Sequence, residues 1–232
     1  MPDNTSLVLN CATPRAEIAI YQDDAMALSR GWGNPRSTGN LLQSSLECML
    51  QQLELEPSDL NSVIFAHGPG SFTGLRVGLS FLKGLFFDLA PEYVGVSTLD
   101  TLARTVNATD AEIYPCIFYR RDAVFSAGYR KQDSVVQRFR DPFVLTGEEL
   151  ALLPDGIWLT GNFEPVLPAV STKLGSSRLN LLPAPDRELA LDWLYRLGRE
   201  ELINHGGRIL ATAEPLYQVE FTPTPARKGK SS

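Results

Sequence analysis

The chain has 232 residues, of which 44% are apolar and 21% charged, the balance of an ordinary globular protein. Its net charge of -6 and pI of about 5.0 argue against a protein that holds tRNA or DNA by itself, because phosphate contacts need clustered Lys and Arg. The basic cluster seen in the sequence is Arg227, Lys228 and Lys230, in a Pro-, Gly- and Ser-containing tail that we expect to be solvated.

Cysteine and histidine usage points to an intracellular protein without a metal. The three cysteines, Cys11, Cys48 and Cys116, are far apart, which favours a reducing cytoplasm and excludes a zinc knuckle. The histidines, His67 and His205, have no partner at metal-ligand spacing. The N-terminus does not have the pattern of a signal peptide, and charged residues interrupt the most apolar helix, so no membrane span is expected.

The first half of the chain predicts an antiparallel meander followed by alternating helices and strands. The predicted elements are strands at 7–12, 17–21 and 25–29, a helix at 41–53, a strand at 62–66, a helix at 73–89, a strand at 93–96 and a helix at 98–107. The loop over 31–40 is rich in Gly, Asn, Pro and Ser, and its Trp32 is either a packed lid or an exposed contact.

The second half repeats this order of elements. It predicts strands at 113–118, 123–129 and 134–138, a helix at 146–152, a strand at 156–160, a helix at 164–174, a strand at 179–182 and a long helix at 186–204. The helical crossovers imply parallel pairing of the later strands in each half. We therefore expect two similar lobes, one formed by residues 1–104 with 186–232 and a smaller one formed by residues 105–185.

The helix predicted over 73–89 follows the tight turn Gly68-Pro69-Gly70, with Ser71 or Thr73 as its N-terminal cap. One face is rich in leucine and suits a sheet. A neighbouring stripe carries Gly74, Gly78, Phe81 and Leu85. Each glycine costs about 1 kcal/mol relative to alanine inside a helix, so the stripe predicts a closely packed second helix, from this domain or from another chain.

Known phosphate and nucleophile motifs do not fit this turn. A Walker loop needs Lys-Ser or Lys-Thr after its second glycine, whereas Gly74 is followed by Leu75-Arg76. A nucleophile elbow needs Gly-x-Ser-x-Gly, whereas Ser71 directly follows Gly70. A generic anion site at the start of the helix stays open.

The duplicated order of elements is that of the actin-like, sugar-kinase and Hsp70 superfamily (ASKHA, RNase H-like), so the expected fold class is α/β with two actin-like lobes, each a mixed sheet with helices. Within it, the run Gly68-Pro-Gly-Ser-Phe-Thr-Gly-Leu-Arg-Val-Gly-Leu79 resembles the signature of the TsaB (YeaZ) family of tRNA threonylcarbamoyladenosine biosynthesis proteins. Gly95-Val-Ser-Thr-Leu-Asp-Thr-Leu-Ala103 and Glu214-Pro-Leu-Tyr217 resemble later motifs of that family.

The resemblance implies a non-catalytic, cytoplasmic scaffold subunit without a cofactor. Such proteins pair with the related TsaD, which carries the metal and transfers threonylcarbamoyl to the adenosine beside the anticodon of certain tRNAs. A TsaE-type ATPase joins the assembly, tRNA is contacted only indirectly, and a homodimer is plausible without the partner. In this family the first two helices form the pairing surface, which implies these partner-binding residues: Leu42, Leu46, Met49, Gly70, Ser71, Phe72, Thr73, Gly74, Arg76, Gly78, Phe81 and Leu85.

The chain departs from the family pattern where two strands end. Asn10 stands where the resemblance expects Asp, and Tyr119-Arg120-Arg121 stands where it expects Asp-Ala-Arg. In kinases of the superfamily such aspartates hold magnesium or activate the attacking hydroxyl. Their absence argues against the alternative of a small-molecule kinase or ATPase, for which Asp100 and Asp122 are the nearby carboxylates in sequence.

A peptidase is a further alternative. It needs a nucleophile with a base, or a metal with histidines. Ser71 with His67 is the only such pair close in sequence, and a core or loop histidine is the simpler interpretation.

Overall fold

Two mixed sheets, each packed against helices, form the protein. The structure is a computed structural model that describes residues 4–33, 38–168, 179–182 and 190–216. Its strands are β1 (Thr5–Asn10), β2 (Ala16–Gln22), β3 (Ala25–Trp32), β4 (Ser62–Gly68), β5 (Glu92–Ser97), β6 (Ala111–Arg120), β7 (Ala123–Gln132), β8 (Val135–Thr146), β9 (Ile157–Gly161) and β10 (Leu179–Leu181). Its helices are α1 (Thr38–Leu53), α2 (Phe72–Leu85), α3 (Thr98–Ala103), α4 (Gly147–Leu150) and α5 (Leu191–His205).

The two sheets have the same topology. The first has the order β3-β2-β1-β4-β5 and the second the order β10-β9-β6-β7-β8. In each sheet the three strands of the meander pair antiparallel, and the two later strands add in parallel beside its first strand. The predicted fold class and the parallel pairing are confirmed. The duplicated element order is confirmed over the described residues, which do not include most of the helix predicted at 164–174. The division of the chain at residues 104 and 186 stays a prediction.

Several element boundaries differ from those predicted. Helix α2 ends at Leu85 rather than at 89, because the chain turns there to reach β5, which starts at Glu92. Helix α3 has six residues, since a turn follows Ala103 directly. The loop 34–37, most of the helix predicted at 164–174, the start of that predicted at 186–204, and the tail with Arg227, Lys228 and Lys230 lie outside the described residues.

The first sheet is covered on both faces because neighbouring residues of its central strand β4 point in opposite directions. Phe65 points toward α2, at Gly78, and Ile64 points toward α5, at Gly198. Helix α1 lies beside α2 and contacts β2 and β3. Trp32, at the end of β3, is half-buried and packs against this core, so it is a packed residue rather than an exposed contact.

The two lobes are joined by a shared core rather than by a flexible link. One continuous cluster of buried side chains includes β1 and β4 of the first sheet and Ile113, Ile117 and Tyr129 of the second. Helix α3 lies between the sheets, and the hydroxyl of Tyr129 donates a hydrogen bond of 2.6 Å to its Asp100. A second polar contact joins the hydroxyls of Thr105 and Thr160 at 3.2 Å.

Tyr129→Phe should lower the free energy of unfolding by about 1.5–3 kcal/mol, because it removes a hydrogen bond to a carboxylate. Tyr129 is 1% exposed, and burial and the neighbouring Asp100 raise the pKa of its phenol. Tyr119→Phe is the control, since that ring is only half-buried. Urea unfolding would measure both changes, and equal stabilities would show that this contact does not hold the lobes together.

Candidate partner-binding surface

The turn between β4 and α2 is held against the end of β1. The amide of Ser71 donates to the carbonyl of Ala12 at 2.8 Å, and the ideal Cβ position of Gly70 overlaps that carbonyl. The hydroxyl of Ser71 then accepts from the amide of Gly74 at 3.1 Å. Of the two predicted caps, Ser71 therefore starts the helix, because its oxygen satisfies an amide that lacks a partner in the first turn.

The glycine stripe of α2 faces this chain, which corrects its predicted partner. A Cβ at Gly74 would overlap the carbonyl of Cys11, and one at Gly78 would lie 2.9 Å from Phe65 Cε2 and 3.1 Å from Cys11 Sγ. The glycines do allow an unusually close approach, as their cost in a helix implies. The close neighbours are Phe65 of β4 and the residues Cys11 and Ala12 just after β1. Gly78 is buried against them, whereas Gly70 and Gly74 are half-buried, and their place in a partner interface stays a prediction.

The three residues predicted on α1 are also core residues. Leu42 and Met49 are fully buried and Leu46 is 2% exposed. Their spacing follows the helical period because they pack on the chain's own sheet, the common meaning of such a stripe. Their side chains are therefore removed from the candidate surface.

The outward side of α2 and of the turn after it, here called the outer face, remains available. Phe72, Thr73 and Arg76 of the predicted set are exposed, and Phe81 and Leu85 are half-buried. Residues outside the predicted set also belong to this side, among them Phe87, which is 84% exposed, Val77 and Gly84. A helical wheel places these residues opposite the leucine face, so the signal was present. The outer face consists of Phe72, Thr73, Arg76, Val77, Ser80, Phe81, Gly84, Leu85 and Phe87.

The outer face combines apolar side chains with the guanidinium of Arg76, which is held over an aromatic ring. The guanidinium of Arg76 lies 3.8 Å from the ring centroid of Phe72, which is 40% exposed. A cation at this distance is attracted by the face of the ring. At Gly84 nothing lies within 4 Å of an ideal Cβ position. The surface therefore carries an aromatic ring with its cation at the start of α2 and has open space at the last turn of the helix.

Two motifs that are distant in sequence meet beside this face. The amide of Leu216 donates to the carbonyl of His67 at 2.9 Å, and an ideal Cβ at Gly68 would lie 2.8 Å from the carbonyl oxygen of Leu216. The segment 213–216 thus packs on the turn before α2, and Tyr217 lies outside the described residues. A shallow depression of about 350 Å³ separates it from α2, lined by Arg76, Leu79, Ser80, Lys83, Ala213, Glu214 and Pro215.

The strand-end positions that lack the expected aspartates have structural roles. Asn10 is fully buried, its amide oxygen accepts from the amide of Ala12 at 3.0 Å, and its Nδ2 donates to Thr13 Oγ1 at 2.8 Å. These contacts hold the turn between β1 and β2. The ring of Tyr119 packs against Phe125 at a centroid distance of 4.6 Å. Both side chains are therefore engaged within the fold.

The carboxylates considered for kinase chemistry have partners of their own. Asp100 accepts from Tyr129, and Asp122 forms an ion pair of 3.2 Å with Arg120 on the surface. Within the part of the chain that the structure describes, no three His, Cys, Asp or Glu residues lie together as a possible metal site.

The peptidase pair is not assembled as a nucleophile and base. The hydroxyl oxygen of Ser71 serves as the helix cap, and the ring of His67 lies against Gly95, where a Cβ would overlap its Nδ1. Burial, and then the positive charge of Arg208, lower the pKa of His67. His67 is thus a packed histidine that lies against Gly95, a strand position that has no side chain.

None of the helices over the described ranges is long and apolar enough to cross a membrane.

The chain is similar to known proteins in sequence and in structure. The model of a family described as TsaD, tRNA N6-adenosine threonylcarbamoyltransferase, matches residues 36–156, just over half of the chain. The tRNA threonylcarbamoyladenosine biosynthesis protein TsaB of Bacillus subtilis (strain 168) is 30% identical over 152 residues, which are 65% of this chain and 66% of that protein. The TsaB of Escherichia coli (strain K12) is 27% identical over 132 residues, or 55% and 56% of the two chains. The matched stretches thus span between about half and two thirds of these relatives.

Solved structures show the same fold over nearly the whole length. A protein from Pseudomonas aeruginosa described as similar to peptidase YEAZ superposes with a TM-score of 0.75 at 23% identity, covering 92% of this chain and 99% of the other. YeaZ from Pseudomonas aeruginosa gives 0.73 at 21% identity, with the same coverage. The likeness extends through both lobes. This likeness shows a common fold. The matched family model and the curated relatives show that the chain belongs to the family described as TsaD, tRNA N6-adenosine threonylcarbamoyltransferase, as a divergent TsaB (YeaZ) member.

Proposed function

We propose that this protein is a non-catalytic subunit in the biosynthesis of threonylcarbamoyladenosine in tRNA. It pairs with a TsaD-type transferase through the outer face and activates that enzyme. A TsaE-type ATPase joins the larger assembly in the cytoplasm, and the same face forms a homodimer when the partner is absent. Family membership and the names of the curated relatives support the pathway.

The observation that carries the pairing proposal is the exposure of aromatic side chains along α2. Phe72, at the start of α2, is 40% exposed, and Phe87, in the turn after the helix, is 84% exposed. Val77 and Phe81 between them are half-buried. Burying apolar surface contributes about 25 cal/mol per Å², and aromatic residues are enriched among those that dominate binding. A partner that covers this face would remove both rings from water.

Two features support a role without catalysis. Asn10 and Tyr119 replace the carboxylates that phosphate chemistry would need, and both are engaged in the fold. The second feature is the joint between the lobes, because many two-lobed enzymes work by closing one domain on the other about a hinge. Here one core runs through both sheets, and α3 is bonded to Tyr129 of the second lobe. Such a joint favours a rigid scaffold.

Measuring mass in solution after mixing the chain with a TsaD-type protein from the same genome tests the proposal. We expect a heterodimer, and threonylcarbamoylation of tRNA should depend on both proteins. Calorimetry with ATP and magnesium tests the kinase alternative, which requires micromolar binding with turnover. Absence of a complex, together with such turnover, would replace this proposal by the alternative.

Phe87→Ser should weaken the heterodimer by about 1–2 kcal/mol, or roughly five- to thirtyfold, because an exposed aromatic ring loses its contact with the partner. Stability of the free chain should change by less than about 0.5 kcal/mol. Leu152→Ser is a matched control in the second lobe, since Leu152 is 85% exposed and Phe87 is 84% exposed. If both variants bind the partner equally well, Phe87 lies outside the interface.

A further inference from the structure

The hairpin of β7 and β8 carries a surface that the pairing proposal does not use. Strand β8 is one of the two edge strands of the second sheet, at the end opposite to β10. Its pairing with β7 is irregular, since Gly128 lies opposite Arg140 and Tyr129 opposite Arg138, which leaves Phe139 as an extra residue. Such a bulge redirects a side chain. An ideal Cβ at Gly128 would lie 2.8 Å from Phe139 Cζ and 2.9 Å from Arg140 Cβ, so both residues lie on one side of the sheet.

Arginine and aromatic side chains follow each other along this surface. Arg130 lies 5.2 Å from the ring centroid of Phe139, and that ring meets Tyr114 edge to face at 6.2 Å. Arg140 lies 3.6 Å from the ring centroid of Phe143 and reaches the phenol of Tyr114, where its charge opposes the rise in pKa caused by burial. The row Arg130, Phe139, Tyr114, Arg140 and Phe143 is called the arginine–aromatic row below.

The row is held in place and partly open to water. Arg130 is anchored by an ion pair of 2.7 Å with Glu112, and 52% of its side chain is exposed. Phe139 is 47% exposed, and Arg140 is exposed. In the described part of the chain no carboxylate pairs with Arg140. Arg140 can therefore bind an external anion beside an exposed ring.

The hairpin is also locally basic in an acidic protein. Residues 123–146 hold four cations, Arg130, Lys131, Arg138 and Arg140, and two acids, Asp133 and Asp141, whereas the whole chain has a net charge of -6. Along the sequence, only the basic cluster in the tail stands out. The cations of the hairpin do not, because they lie in two groups that strand pairing brings side by side.

We propose that the arginine–aromatic row is a contact surface for RNA, with Arg140 binding a phosphate and Phe139 stacking on an unpaired base. Guanidinium groups next to aromatic rings are the combination that binds backbone and splayed bases in single-stranded RNA. An acidic protein partner would pair with the arginines but would have no use for the exposed ring of Phe139. The identification of this RNA as the tRNA acted on by the complex rests on the proposed function. A direct contact of this kind would replace the expectation that the chain contacts tRNA only indirectly.

Fluorescence anisotropy with the full chain and a labelled single-stranded RNA of about 12 nucleotides, at about 50 mM salt, tests the proposal. Arg140→Gln and Phe139→Leu should each weaken binding at least about fivefold. Arg140→Gln should also lower the slope of log affinity against log salt by about 1. Arg196→Gln is the matched control, because Arg196 lies 5.3 Å from the ring of Trp193 on α5. It should bind RNA as the natural chain does.

Three results would overturn the proposal: no RNA binding by the natural chain at low salt, equal binding by Arg140→Gln and the control, or equally effective competition by polyglutamate of matched charge. Arg140→Lys keeps the charge and loses the planar stack, so it should restore the salt slope without full affinity. Thermal melting identifies a variant that fails to fold. A variant that loses RNA binding but still forms the heterodimer shows that the two surfaces are separate. If the natural chain binds RNA but forms no heterodimer, the RNA surface is supported and the pairing proposal fails.

Discussion

Gly84→Arg should prevent the chain from pairing with the proposed TsaD-type partner while leaving the fold intact. Gly84 lies on the exposed side of the last turn of α2, and nothing lies within 4 Å of an added Cβ. Replacing a helical glycine favours the helix by about 0.5–1 kcal/mol. The same side chain would bury an unpaired charge in the interface, so we expect at least about a hundredfold loss of affinity, or about 3 kcal/mol.

Gly84→Ala separates the two effects of this substitution. It brings the same gain in helix propensity without length or charge, so it should be slightly more stable and should still bind. Thermal melting and the mass of the mixed proteins would measure both quantities. Normal pairing by Gly84→Arg would show that the partner does not cover this side of α2 and would refute the assignment of the outer face.

Gly78→Leu should destabilise the free chain by about 3 kcal/mol or more, the upper end of the usual cost of overpacking. The added Cβ alone would lie 2.9 Å from Phe65 Cε2 and 3.1 Å from Cys11 Sγ, and three more carbon atoms would have to follow it. Phe65 belongs to β4 and Cys11 directly follows β1, the neighbouring strand in the first sheet, where close packing leaves little room to relax. Pairing would be lost only because the fold is lost.

Ser80→Leu is the control for this change, since it introduces the same side chain on the exposed face of the same helix. Its free energy of unfolding should change by less than about 0.5 kcal/mol. Urea unfolding of the two variants gives the comparison directly. A Gly78→Leu protein as stable as Ser80→Leu would mean that the helix shifts away from the sheet without cost, contrary to the packing described above.

The glycines show how far local sequence reasoning extends. Their cost in a helix correctly indicated that something approaches α2 closely, because that cost depends on the helix alone. Which backbone approaches is set by contacts between residues distant in sequence. Gly74 and Gly78 meet Cys11, more than sixty positions away, and helical spacing does not encode such a contact.

The predicted surface changed for the same reason. Leu42, Leu46 and Met49 have the period of an apolar helical face, and the period is the same whether the face meets a sheet or a partner. The angle of Phe87 on a helical wheel places it outward. Its exposed fraction of 84%, however, depends on the chain leaving the helix after Leu85, which only the structure shows.

By itself, the sequence determined the two-lobed α/β fold, the family, the cap at the start of α2 and the loss of the strand-end carboxylates. Each of these depends on local periodicity, a short motif or the identity of one residue. Only the tertiary structure decided the direction of the glycine stripe, the outer face, the contacts at α3 that join the two sheets, and the arginine–aromatic row. These arise from strand pairing and helix packing, which join residues whose separation in sequence carries no record of their contact.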